Sequence, residues 1–123
     1  CGSTALTFNM HTATMLLTGQ IADDLDMGDD DRMAHERRRA AMYRGVLDDG
    51  HIHAQPFSEG HQAGATAGVT TRAVPVDGGF RVSGRKIFAS LAEAADRHNV
   101  TCMVEGEGLI RFLGVPADAD GIT

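Results

Sequence analysis

Four side chains between positions 51 and 61 carry donor atoms suited to a metal: His51, His53, Glu59 and His61. On a strand, His51 and His53 would share one face, because successive side chains alternate. An imidazole and carboxylate site needs three or four ligands converging on the ion. From the residues alone, His51 and His53 read as surface side chains at the start of a strand. Ser58-Glu59 is no hydrolase signature, since no G-x-S-x-G elbow is present. Glu59 has no evident second carboxylate for general acid–base work. Residues 60–68, GHQAGATAG, could let backbone amides approach phosphate oxygens, because small side chains leave the backbone open. They match neither the P-loop nor GxGxxG. The aspartates of residues 23–31, DDLDMGDDD, miss the EF-hand spacing and read as a solvated connector. Phe88, near Lys86 and Ser90, reads as a core aromatic.

These residues need elements to position them. A helix is predicted over Ser3–Leu25, with Leu6, Met10, Ala13, Leu16 or Leu17, and Ile21 at roughly helical spacing. A second is predicted over Arg32–Leu47, with Met33, Ala40, Ala41, Tyr43 or Arg44, and Leu47 inward and its arginines on a solvated face. The acids before it suit a helix N-terminus. Asp48-Asp49-Gly50 supplies stop chemistry. Beyond it the texture turns to β, with strands predicted over His51–Ser58, Val69–Val76, Gly79–Ser90, Arg97–Val104 and Leu109–Val115. Asp77-Gly78 is a hairpin signal, and residues 105–108, EGEG, form a second turn. The fold class is therefore α+β, two helices followed by an incomplete antiparallel barrel or sandwich segment.

The chain has 123 residues, 42% of them apolar, and a formal net charge of −6. That suits one globular unit with a modest core. With no basic surplus to neutralise phosphates, neither nucleic acid nor an anionic membrane is an expected partner. No apolar run is long enough to span a bilayer, and no secretory leader opens the sequence. Cys1 and Cys102 show no framework spacing and read as reduced thiols of a cytoplasmic protein. The start at Cys1 and the close at GVPADADGIT read as the ends of a fragment.

Taken together, several segments resemble one family, the FAD-dependent acyl-CoA dehydrogenases. STALTFNMHTATMLL and the helix leading to Gly50 resemble the end of the N-terminal helical domain, giving a boundary of 1–49 against 50–123. Phe57-Ser58-Glu59, the arm from Gly79 to Ser90 (GFRVSGRKIFAS), and LGVPADADGI resemble the first part of the middle β-domain. The resemblance implies FAD lying against that domain. Phe57 and Ser58 match strand positions that hydrogen-bond the flavin ring. Phe88 matches an aromatic packed on the flavin, and Ser90 a hydroxyl near its N5. Ala63 and Gly64 match a loop near the pyrophosphate and the acyl-CoA.

That loop departs from the family's pattern, roughly [ST]-E-P-x-x-G-[ST]-D. Gly60 stands for Pro, Ala63 for Gly, Gly64 for the hydroxyl residue and Ala65 for Asp. The resemblance implies a parent enzyme of fatty acid metabolism that oxidises the Cα–Cβ bond of an acyl-CoA, passes electrons to an electron-transfer flavoprotein or similar acceptor, and forms a homo-oligomer. Its catalytic base would come from a C-terminal helical bundle outside this sequence, so the 123 residues alone are expected not to catalyse. An oxidase or monooxygenase on the same fold fits equally. The alternatives are a non-enzymatic β-rich binding module and a cupin-like metal site, since Gly45 and His51-x-His53 resemble the first half of the cupin motif.

Overall fold

The computed structural model describes residues 2–60 and 68–123. Two helices come first, α1 (Gly2–Gln20) and α2 (Asp29–Asp49), then five strands: β1 (His53–Ala54), β2 (Arg72–Val76), β3 (Gly79–Ser83), β4 (Arg97–Val104) and β5 (Ile110–Pro116). The α+β organisation is as expected. The sheet is mixed, where the sequence suggested a purely antiparallel one, and it is not closed into a barrel. β2 and β3 form the hairpin around Asp77-Gly78, with Gly78 in the left-handed region at φ 78, which glycine adopts without a Cβ penalty. β4 is central. Its antiparallel partner β5 runs along one edge from Arg97 to Met103. Along the other edge β1 pairs in parallel with Arg97 and His98, and β2 in parallel with Met103 and Val104. The intervening residues of that edge lie in a gap between two strands.

β4 has two distinct faces. Val100, Cys102 and Val104 are buried, and Cys102 and Val104 pack with Ala73, Val82 and Leu113 as the apolar core. Asn99 and Thr101 project the opposite way, toward polar partners. Cys102 is a free thiol, and burial raises its pKa despite the nearby Lys86 charge.

The helices depart from the expected amphipathic pattern. Leu6, Leu16 and Leu17 of α1, and Ile21 just after it, are exposed within this chain, and the helix's buried residues are His11 and Thr14. In α2, Met33 and Leu47 are exposed as well. Arg37, Arg38 and Arg44 lie on a solvated face as expected, whereas Arg32 and Arg39 join the helices. Arg39 donates to Gly19 O at 2.8 Å and pairs with Asp23 and Glu36, while Arg32 donates to Ala22 O and Leu25 O. These bonds satisfy carbonyls at and just beyond the end of α1, where intrahelical partners run out. Arg39 therefore has a raised pKa, owing first to its bonds with Asp23 and Glu36. Tyr43 adds a bond from its hydroxyl to Met15 O at 2.8 Å. Asp29, Asp30 and Asp31 occupy the first turn of α2, as the helix dipole favours. Gly50 ends it in the left-handed region at φ 72.

α1 is docked on β1 by neutral polar groups. The backbone N–H of His53 donates to His11 Nδ1 at 3.0 Å. Thr14 Oγ1 donates to Gln55 Oε1 at 2.9 Å. Asn99 Nδ2 reaches both His53 Nδ1 at 3.1 Å and Ala54 O at 3.2 Å, tying the seam to β4. Burial lowers the His53 pKa, and repulsion from His11, Arg97 and His51 adds to this, against the opposing bond from Asn99.

Candidate functional site

The predicted strands ending at Ser58 and Ser90 both break early, after Ala54 and Ser83. Their continuations nevertheless meet. Ser58 and Ile87 form an isolated antiparallel bridge, in which Ile87 N–H donates to Ser58 O at 2.8 Å. One hydrogen bond thus sets the segment carrying Phe57 and Ser58 beside the one carrying Phe88 and Ser90. Phe57 leaves 41% of its surface exposed and meets Phe112 of β5 edge-on, with ring centroids 5.8 Å apart.

Phe88 is not a core aromatic. It is 86% exposed and holds φ 56, a left-handed conformation uncommon for a bulky side chain. Leu91 follows at φ 68. Such strain persists only where the surroundings over-determine the backbone, and it clusters at functional sites. Between them, Ser90 N–H donates to Phe88 O at 3.0 Å, and the chain turns tightly, with bonds from Ala92 to Ala89 and from Ala94 to Leu91. Ser90 is exposed. Beside this turn lies a hollow of about 410 Å³, lined by Thr7 of α1 with Ala89, Leu91, Ala92, Glu93 and Ala94. Of the other residues matched to a cofactor, Ala63 and Gly64 lie outside the described residues, as does His61.

Behind the bridge sits a buried ion pair that no local pattern reveals. Lys86 Nζ lies 2.5 Å from Glu59 Oε1, and the two side chains are 9% and 10% exposed. The carboxylate also accepts from the backbone N–H and hydroxyl of both Thr70 and Thr71. Burial alone would raise the Glu59 pKa, but Lys86 and the threonine donors outweigh it and hold the carboxyl well below the usual range. Lys86 donates in addition to Thr101 O at 2.8 Å and Thr101 Oγ1 at 3.1 Å. Thr101 faces the gap between β1 and β2, so the ammonium supplies a donor where no strand does. Gly84 completes the packing, since a Cβ there would collide with the Thr71 side chain. One signal for this cluster was in the sequence: Lys86 is the only lysine among ten arginines.

This arrangement removes Glu59 from any metal site, and His53 is engaged by Asn99. Among the described residues no three histidine, cysteine or acidic side chains converge to hold a metal. Likewise among them, no helix is long and apolar enough to cross a membrane.

No protein-family model matches the chain, and no curated protein matches it. Solved structures do. The steroid ACAD Tcur3481-Tcur3483 aligns at 31% identity and a TM-score of 0.61, over 70% of this chain and 23% of its own. The chain has a flavin-dependent acyl-CoA dehydrogenase-like fold. The same architecture appears in FMN-bound TdsC from Paenibacillus sp. A11-2, at 24% identity and a TM-score of 0.58, over 69% of this chain and 22% of that one. KijD3 in complex with FMN and a dTDP-linked amino-keto sugar aligns over 97% of this chain and 27% of its own, at 21% identity and a TM-score of 0.67. At these lower identities the likeness is one of fold. The chain spans only 22–27% of the length of these structures.

Proposed function

We propose that this chain is the flavin-facing part of an oxidoreductase of the acyl-CoA dehydrogenase type. The observation that supports this most is the exposed Phe88, held two residues before Ser90 on a segment bridged to Ser58. An uncovered aromatic ring offers a platform for a planar cofactor. The Ser90 hydroxyl and the polar backbone near Ser58 can hydrogen-bond a ring edge. When bound, a flavin supplies the hydride-accepting centre. The chain's own residues orient that ring and place fixed dipoles where negative charge develops on it.

In this reading a bound FAD would supply the acceptor for hydride from the β-carbon of an acyl-CoA, a base would remove the α-proton, and an electron-transfer flavoprotein or similar acceptor would receive the electrons. Glu59 is unsuited as that base, being committed to Lys86 and held far from a neutral pKa. By the family resemblance, the base would come from a C-terminal helical bundle of the parent enzyme. A second reading, FMN in place of FAD in a monooxygenase, is favoured by two observations. TdsC and KijD3 are described with FMN. The loop at Gly60, Ala63, Gly64 and Ala65 also departs from the dehydrogenase pattern.

Titration of the protein with FAD and with FMN, followed by flavin fluorescence, tests the proposal. One flavin should bind, and Phe88→Ala should weaken it about three- to tenfold, as loss of an aromatic stack implies. Binding of neither flavin, or binding indifferent to Phe88, would reject this reading in favour of a non-enzymatic β-rich module.

A further inference from the structure

The Glu59–Lys86 pair lies one residue after Ser58 and two residues before Phe88. It draws together four separate segments: 57–60, the lead-in to β2 at Thr70 and Thr71, the run from Lys86 to Phe88, and Thr101 on β4. The Ser58–Ile87 bridge, by contrast, rests on a single backbone bond at a place where both strands have already ended. Alone, such a bridge would fray. A buried ion pair is weak evidence for stability, since apolar residues of similar volume often hold a core as well. What charges with many directed bonds do supply is one geometry. Five donors converge on Glu59, and three acceptor atoms receive Lys86.

We infer that Glu59 and Lys86 are positioning residues, which fix the segment carrying Ser58 against the one carrying Phe88 and so set the surface that meets the flavin. This rests on the flavin-facing reading above. Neither side chain need touch the cofactor: both are largely covered behind the bridge, whereas Phe88 and Ser58 are exposed.

The test compares the unaltered protein with Glu59→Gln, which keeps size and one carbonyl acceptor but loses the charge, and with Lys86→Arg, which keeps the charge. Two quantities are read: hydrogen exchange at the Ile87 amide, and the affinity and visible spectrum of bound FAD or FMN. Glu59→Gln should speed Ile87 exchange about tenfold, the worth of a charge-assisted bond. Amides of the β4–β5 ladder should keep their protection. The same variant should weaken flavin binding about as much and shift its absorption band, whereas Lys86→Arg, which keeps the charge, should lose less of both. Should Glu59→Gln not fold, Thr70→Val removes one hydroxyl donor while leaving the pair, and about a threefold effect on both readouts is expected. Faster Ile87 exchange with unchanged flavin affinity and spectrum would overturn the inference and leave the flavin reading standing. So would an unchanged Ile87 rate. If the unaltered protein binds no flavin, the flavin reading fails and carries this inference with it.

Discussion

Two buried polar junctions flank β4 on the same face, and they are built on opposite principles. One, centred on Glu59 and Lys86, is fully charged and directed. The other, from His11 and Thr14 through His53 and Gln55 to Asn99, is neutral, with each imidazole accepting a bond through Nδ1. The first surrounds a carboxylate with donors, so ionisation is favoured. In the second, where ring centroids of His11 and His53 lie 6.1 Å apart, burial first and then repulsion from His11, Arg97 and His51 disfavour protonation of His53. β4 serves both, giving Thr101 to one and Asn99 to the other. The charged junction fixes a site, whereas the neutral one attaches a helix whose apolar residues are largely turned away from the sheet.

The largest expected difference comes from breaking the charged junction. Lys86→Met would leave Glu59 buried without its cation and cost about 3–5 kcal/mol, a large share of the roughly 5–15 kcal/mol that holds a domain together. Denaturant unfolding should show this, and adding Glu59→Leu should restore much of the loss. If the single and double variants are equally destabilised, the cost comes from packing and the contrast between the junctions fails. In the neutral junction Thr14→Val leaves Gln55 Oε1 without its donor, and about 1–3 kcal/mol should be lost. Thermal unfolding would measure it, and a variant as stable as the parent would show that α1 is docked by other means.

The smallest effect, and the most discriminating, is that of pH. His53 has a folded pKa below its unfolded value of about 6.5, so in the interval between them the unfolded chain binds more protons. Stability from the neutral junction is therefore complete above that value and is lost as pH falls through the folded one. Glu59 is also lowered, but from the carboxylate range near 4.3, so its contribution persists until pH falls below that value. On acidification, the His53 amide, bonded to His11, should lose exchange protection before the Thr70 and Thr71 amides, bonded to Glu59. The reverse order would contradict the assignment of charge states.

Much of the local structure was legible in the sequence. Arg97–Val104 has the bounds expected of it, because Val100, Cys102 and Val104 alternate with other residues and a turn closes it. Asp77-Gly78 and Gly50 act where their chemistry requires. The helices exist, but their buried faces could not be read. Periodicity marks which side chains are apolar, whereas the surface α1 meets is the polar backbone and side chains of residues 53–55, which select His11 and Thr14. The mixed pairing was hidden for a related reason, since nothing local distinguishes a strand that pairs across 44 residues from one that pairs with its neighbour. In the candidate site, family resemblance singled out Phe57, Ser58, Phe88 and Ser90, and the bridge brings their segments together. Glu59 was read as a residue without a carboxylate partner. Its actual partner is a cation 27 residues away, outside the reach of any motif.

The central place of β4 has a consequence for how the molecule is made. Everything in the sheet except the β2–β3 hairpin depends on residues 97–104, which are synthesised after β1, β2 and β3. As the chain emerges N-terminus first, β1 and the free edge of the β2–β3 hairpin have no strand to join, and His53 and Lys86 wait for Asn99 and Thr101 of β4. The order of events is thus set by connectivity: hairpin and helices first, then a late, cooperative closure once β4 appears, with slow folding expected from such distant pairings. A ribosome pausing before Arg97 would hold out a chain whose sheet cannot yet assemble, and that interval is when a chaperone would find its apolar surface.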